Sequence, residues 1–487
     1  MEEKKDVSRA SLRFLGGTLI SRLSGLLRDI AMAASFGTTP EVATFLIAFR
    51  FSNFLRRLLG ESALSASFIP YFESERAGGS HGALFFRDCL FSLLALLLGI
   101  VLLAEVGLSF SHESPVLSYA KWMVPGLIFI SLYGLTSSLL QCERKFFLPA
   151  IAPIGFNIVW SAAALYCAKA PSPFIALSKA ITLAFAAQWL LTLPPTWRWI
   201  RSHLTLKEIG AFQLFPPSVR QAIRPFLLGF IGIGALQINS LLDTLFARAA
   251  CPEGPAYLWY ALRLQQVPLA LIGIGLGSAL MPSISRAIKG GESAKGDALL
   301  KYAIVRGFAL LLPAMLGLLL VGHGILERLF GYGSFDQGSI AQTARALYGY
   351  ALALPFAGWT VILAPLFYAQ GNYRHPLNGV LVSIGVNIAL NTLLVFGFHM
   401  GAESVAIATS VSALANFIYL KRGWSAPLPY KALARIGGCA LIALLSALKG
   451  GFYVQGGLFT IVYFATARLF KVEEVLDLAR TGVRAQN

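Results

Sequence analysis

The sequence predicts an all-α, polytopic membrane protein with about fourteen transmembrane helices, and three observations predict it. Of 487 residues, 56% are hydrophobic and only 13% charged, about half the ~25% charge share of soluble domains. Mean hydropathy is +0.68. Apolar runs long enough to cross a bilayer recur from Leu12 to Phe470, with no long polar stretch between them. Together these exclude a soluble enzyme, a disordered chain and a secreted disulfide scaffold. The five cysteines (Cys89, Cys142, Cys167, Cys251 and Cys439) are scattered and form no CxxC pair, so neither a metal site nor a disulfide framework is expected. The start, Met1-Glu2-Glu3-Lys4-Lys5, is not followed by a short apolar core with a cleavage site, so the first apolar segment is expected to stay in the mature protein.

Polar breaks and Pro/Gly punctuation place the spans near 10–36, 41–72, 88–110, 119–141, 149–168, 173–197, 222–249, 256–285, 302–322, 341–369, 376–398, 402–420, 432–448 and 452–470. The first is apolar except for one stripe: at about 100° per residue, Ser21, Gly25 and Arg28 share a face. In the second, Asn53 neighbours Arg56 and Arg57 by the three- and four-residue spacing. The fourth, sixth, ninth and tenth carry Lys121, Lys179, Arg306 and Arg345 near their ends, where a long side chain can snorkel to the interface. The seventh holds Asp243 near Asn239 and Gln237, and the eighth holds Arg263. Gly273, Gly275 and Gly277 in the eighth follow no strand and read as close helix packing, not a dinucleotide loop. The eleventh places Asn387 and Asn391 one turn apart, and the twelfth carries Thr409.

An even count puts both termini on one side. The N-terminus, the even-numbered loops and the C-terminus hold most of the basic residues, among them Lys4, Lys5, Arg76, Arg144, Lys145, Arg198, Arg201, Lys207, Lys289, Lys295, Lys421 and Arg422. The odd-numbered loops hold few: Lys169, Arg248, Arg328 and Lys449. The positive-inside rule therefore predicts cytoplasmic termini. It also absorbs most of the +17 net charge, so nucleic-acid binding is not needed to explain it.

Two stretches repeat. Ala48-Phe49-Arg50-Phe51 running to Ser65-Ala66-Ser67-Phe68-Ile69-Pro70 resembles Ala261-Leu262-Arg263-Leu264 running to Ser278-Ala279-Leu280-Met281-Pro282. Gln141, Arg144, Pro149 and Gly155-Phe156-Asn157-Ile158 echo Gln370, Arg374, Pro376 and Gly385-Val386-Asn387-Ile388 in the same order. A duplicated six-span unit has parallel repeats, an arrangement suited to alternating access. It predicts lobes at 1–205 and 206–425, with two appended spans and a tail at 426–487.

Arg22, Arg28, Arg50, Arg56, Arg57 and Arg263 lie well inside spans, with Arg22 roughly 11 residues into the first. A charge at bilayer centre costs at least ~2.5–3.5 kcal/mol, so such residues face a partner or a water-filled cavity. Asp29 and Glu61 are too few to neutralise six arginines, which leaves a net positive cavity. Arginine's planar fork suits phosphate oxygens, whereas an exporter of cations would favour carboxylates. The expected cargo is therefore anionic and phosphorylated. Asp243 needs a partner or a proton; with Asn387, Asn391 and Thr409 it offers oxygens to a monovalent cation, or the group serves only interhelical hydrogen bonding. The six histidines stand singly, and no catalytic constellation or Walker motif is present.

The stretch Ser21-Arg22-Leu23-Ser24-Gly25-Leu26-Leu27-Arg28-Asp29 with Phe36-Gly37 resembles the opening of the MurJ/MviN lipid II flippases. So do Asn53-Phe54-Leu55-Arg56-Arg57-Leu58 running on to Glu61, Ala63, Ser65, Phe68 and Pro70, and Tyr260-Ala261-Leu262-Arg263-Leu264 with Pro268, Gly273, Leu276-Gly277, Pro282 and Ser285. The resemblance covers nearly the whole chain. It implies a non-enzymatic transporter of the MOP superfamily, two six-helix lobes facing a central cavity, and lipid II as cargo, moved from the inner to the outer leaflet of the bacterial cytoplasmic membrane. It implies substrate contacts at Arg22, Arg28, Arg56 and Arg263, to which the cavity reading adds Asn53 and Arg57. It relates Asp243, Asn387, Asn391, Val405 and Thr409 to a sodium site of some members, leaving sodium or the membrane potential as the energy source and no other cofactor. The implied partners are lipid II, membrane lipids and proteins of cell-wall synthesis, and the last two helices are associated with a groove for the lipid tail. Two positions depart from the family: Ala43 and Leu262 stand where acids are common, making the expected cavity more positive. The alternative is export of another polyprenyl-pyrophosphate-linked oligosaccharide.

Overall fold

A computed structural model describes residues 2–57, 62–77, 81–110 and 114–470, with 472 and 475. Every regular element among them is helical, and the chain forms two compact units, 1–241 and 242–487. The division falls inside a helix of the seventh span, one span beyond the sequence boundary at 205/206, and the two C-terminal helices belong to the second unit.

The first unit holds α1 (Glu2–Phe36), α2 (Pro40–Arg56), α3 (Ser62–Ala77), α4 (His81–Ser109), α5 (Pro115–Met123), α6 (Gly126–Cys142), α7 (Phe147–Ile151), α8 (Pro153–Cys167), α9 (Pro173–His203), α10 (Leu206–Gly210) and the larger part of α11 (Pro217–Ala250). Between α1 and α2 the chain turns at Gly37, whose φ of 61° lies in the left-handed region that favours glycine. Thr39 then caps α2, its hydroxyl accepting the Val42 N–H at 3.4 Å, with Pro40 in the first turn. The span expected over 119–141 is a pair, α5 and α6, bent by 43° around Pro125, which has no N–H for the ladder. The short α10 starts with a capping box between Thr205 and Glu208. Asp88 on α4 pairs with Arg87 at 2.7 Å and accepts the Gln213 N–H, while Ser92 Oγ accepts that of Phe215, so the connection after α10 is hydrogen-bonded to α4.

The second unit continues with α12 (Gly254–Pro268), a π-helical segment Leu269–Ile274, α13 (Gly275–Lys289), α14 (Ser293–Phe330), α15 (Gln337–Ala351), α16 (Leu354–Ala369), α17 (Arg374–Asn391), a second π segment Thr392–Gly397, α18 (Glu403–Arg422), α19 (Tyr430–Ser446) and α20 (Phe452–Leu469). The expected span 256–285 is thus three elements. α15 and α16 are bent by 42°, with Pro355 at the start of α16. α14 is far longer than the expected 302–322. A Cβ on Gly254 would lie 2.1 Å from the Ala247 carbonyl oxygen, so only glycine lets α12 start this close to the end of α11.

Six described helices are long and apolar enough to cross a membrane, and the two bent pairs raise the number to eight. α2, α12 and α19 are shorter, at 17, 15 and 17 residues, and α1 is interrupted by Arg22, Arg28 and Asp29. The chain is a multi-pass membrane protein.

α15 starts at an exposed cap. The Asp336 carboxylate accepts the Ser339 N–H at 2.7 Å, and bonds from the Ser339 backbone and side chain hold it below the usual carboxylate range. A depressed value means that the cap contributes above the unfolded pKa of about 3.9 and is lost as pH falls through the lower folded value. Asp336→Ala is expected to cost about 1 kcal/mol at neutral pH. In melting curves against pH, the difference from wild type should shrink below about pH 4.

Candidate functional site

Arg28 is held in the seam between α1 and α8. Its guanidinium meets Asp29 Oδ1 through Nε at 3.0 Å and Nη2 at 2.7 Å, and donates through Nη1 to Asn157 Oδ1 at 3.1 Å. It also lies over the Trp160 ring, 4.5 Å from its centroid. Arg28 and Asp29 are 7% and 1% exposed, so each charge depends on the other, and breaking such a pair costs about 3–5 kcal/mol. Asn157 donates in turn to Ser24 Oγ at 2.8 Å and to the Ser21 carbonyl at 3.2 Å. The polar stripe of the first span, expected to line a cavity, is in the structure the face that packs on α8. Of the two surroundings expected for an arginine inside a span, Arg28 has a partner, Asp29.

Arg22 is on another side of α1 and exposed. Asn53 is half-buried on α2, and its carbonyl accepts the N–H of Arg57, an exposed residue at the helix end. The side chain of Arg56 lies outside the described residues, as does all of Glu61. Arg50 donates to Ser240 on α11, to Oγ at 2.8 Å and to the carbonyl at 3.0 Å. In the second unit Arg263 is half-buried on α12, its guanidinium 4.3 Å above the Trp259 ring one turn earlier. An arginine stacked on indole gains about 0.5–2 kcal/mol, which offsets part of the burial cost.

The residues of the cation hypothesis come together in the second unit. Asp243 of α11 is 6% exposed, and Asn387 and Asn391 of α17 are fully buried. Asn391 Nδ2 donates to Asn387 Oδ1 at 2.9 Å and to Asp243 Oδ1 at 3.1 Å. Thr409 Oγ1 on α18 lies 2.9 Å from the Val405 carbonyl oxygen and 3.4 Å from Asp243 Oδ2, with Asn387 Nδ2 at 3.5 Å. Asn391 Oδ1 is buried with no hydrogen-bond partner. Turning that amide by half a turn would exchange its donor for an acceptor toward Asp243. The set then comprises a carboxylate, two amide oxygens, a hydroxyl and a main-chain carbonyl, the oxygen ligands that hard cations take. Among the described residues no three His, Cys, Asp or Glu side chains converge.

α14 and α20 bound an apolar groove of about 310 Å³ lined by Pro313, Gly317, Val321, Gly456, Phe459 and Phe464. At its side Tyr463 Oη donates to the Ala309 carbonyl at 2.7 Å.

Asn157, Trp160 and Trp259 were not read as functional from the sequence. A signal existed for the first: Asn157 stands where Asn387 stands in the echoed segment. The tryptophans gave none, because aromatic residues at helical spacing most often serve packing.

The arrangement of helices recurs in solved structures. A lipid II flippase MurJ in an inward closed conformation matches with a TM-score of 0.81 at 23% identity, covering 94% of this chain and 98% of that one. An inward-facing multidrug resistance MATE transporter of the MOP superfamily matches at 0.66 and 16% identity, over 88% and 98%. These likenesses show the fold: a polytopic helical bundle of the class seen in those transporters. Sequence narrows the class. The family described as lipid II flippase MurJ matches residues 32–451, and a probable lipid II flippase MurJ of Chlamydia muridarum is 30% identical over 529 aligned residues, 98% of this chain and 97% of that one. The chain belongs to the lipid II flippase MurJ family.

Proposed function

We propose that this protein carries lipid II, a polyprenyl-pyrophosphate-linked disaccharide-peptide, from the inner to the outer leaflet of the bacterial cytoplasmic membrane. The observation that carries this reading is the family match over residues 32–451. Arg22 and Arg28 of the first unit and Arg263 of the second, with Arg56, Arg57 and Asn53, are the groups we assign to the cargo's polar head, because a guanidinium fork matches phosphate oxygens two at a time. The groove between α14 and α20 is assigned to the apolar tail. Both termini are placed in the cytoplasm by the loop charges.

Transport proceeds by alternating access, as the internal repeat suggests. Two energy sources suit it. A dianion moving outward through an inside-negative potential gains about 2.3 kcal/mol per charge per 100 mV. Asp243, Asn387, Asn391, Val405 and Thr409 would hold a monovalent cation, whose charge would balance the buried carboxylate. In this reading, Asn391's unpartnered Oδ1 is the oxygen that turns toward the ion.

Depletion of the protein in living cells tests the cargo. Lipid II is expected to accumulate on the cytoplasmic leaflet and to return to the outer leaflet on re-expression. An unchanged distribution, in cells lacking any other lipid II flippase, would overturn lipid II as cargo and turn attention to other polyprenyl-pyrophosphate oligosaccharides.

A further inference from the structure

Asn157 bonds to three groups on the face of α1 that carries Arg28. It is 5% exposed, accepts from Arg28 Nη1 at 3.1 Å, and donates to Ser24 Oγ at 2.8 Å and to the Ser21 carbonyl at 3.2 Å. Ser24 Oγ donates to the same Ser21 carbonyl at 2.7 Å. The amide packs directly on this face: a Cβ on Gly25 would stand in ordinary contact with it, 3.7 Å from Asn157 Nδ2. Helix packing alone would be served by a leucine or an alanine in this seam. A buried amide that makes all three bonds instead fixes where a guanidinium can point.

The repeat gives a second, independent reason. Asn157 in Gly155-Phe156-Asn157-Ile158 corresponds to Asn387 in Gly385-Val386-Asn387-Ile388. In the second unit that asparagine accepts from Asn391 and reaches Thr409, beside Asp243 of α11. Each unit thus uses the repeated asparagine to build a buried polar cluster. In the first the cluster holds an arginine beside its own acid.

We propose that Asn157 is a positioning residue for Arg28: it holds the guanidinium against α8 and Trp160 and so sets the direction from which Arg28 meets a phosphate. The proposal rests on the reading of Arg28 as a pyrophosphate contact. It assigns Asn157 no contact with the cargo itself.

The test is a double-mutant cycle on the full-length protein in lipid nanodiscs, with farnesyl pyrophosphate as the bound probe. Asn157→Leu keeps the branched side-chain shape and removes the hydrogen bonds. It is expected to weaken binding at least about threefold when Arg28 is present and to have no further effect in an Arg28→Met background. Asn157→Asp, which keeps an oxygen toward Nη1, should bind within about threefold of wild type. An equal loss from Asn157→Leu in both backgrounds would overturn the proposal, showing that Asn157 acts through packing. If Arg28→Met itself binds the probe as wild type does, the pyrophosphate reading of Arg28 fails instead. Should the leucine variant not survive purification, Asn157→Ala carries the same cycle and the same two outcomes.

Discussion

Arg263→Ala is expected to abolish complementation of a depleted strain while the protein still inserts at wild-type levels. The structure separates the two effects. In the fold, Arg263 gives up its stacking on Trp259, worth about 0.5–2 kcal/mol, which is small for a large helical protein. Toward a phosphate, loss of a buried, hydrogen-bonded charge costs about 2–5 kcal/mol, a fall of roughly thirtyfold to several thousandfold in affinity. Arg22→Ala should behave alike, because Arg22 is exposed on α1. Arg28→Ala should differ by lowering the melting temperature too, since it leaves Asp29 buried beside an empty place. Immunoblots of membranes, melting curves and growth distinguish the three. Normal growth of the Arg22→Ala, Arg28→Ala, Arg263→Ala triple variant would remove the arginines from the mechanism.

The second large effect is expected at Asp243. If the cluster around it binds sodium, the purified protein melts higher in sodium chloride than in choline chloride. At a concentration a hundred times the dissociation constant, the stabilisation is about 2.7 kcal/mol. Asp243→Asn should lose the shift, because the neutral amide carries no charge for the cation and one oxygen fewer. It should stay folded, since Asn391 and Thr409 can still bond to an amide at that position. An equal sodium shift in wild type and variant would leave the cluster as interhelical hydrogen bonding.

The sequence was most legible where physics is one-dimensional. The long apolar runs of α4, α9 and α14 announce themselves by hydropathy alone, and Asn387 and Asn391 share a helix face by simple spacing. Breaks within spans were harder to see. Pro125 and Pro355 bend their spans, while Pro70, Pro194 and Pro313 lie inside continuous helices, so proline by itself does not tell a bend from a straight run. The π segment at Leu269–Ile274 left no mark at all in composition. Arg28 illustrates the limit at the site. Helical periodicity put it correctly on a face with Ser21 and Gly25, but what that face meets depends on α8, more than a hundred residues away. Nothing local distinguishes an arginine open to water from one enclosed by Asn157, Asp29 and Trp160.

The enclosed Arg28 has a bioenergetic consequence. A guanidinium is a cation that no dialysis removes and no gradient dilutes. The polar cluster of the first unit is therefore permanently filled, indifferent to the salt on either side of the membrane. The corresponding cluster around Asp243, built from a carboxylate, two amides and a hydroxyl, is where the proposed cation would bind. If the two copies descend from one ancestor, the chain has divided the labour: one half carries its cation on a side chain, and the other is the half to which the proposed cation is assigned.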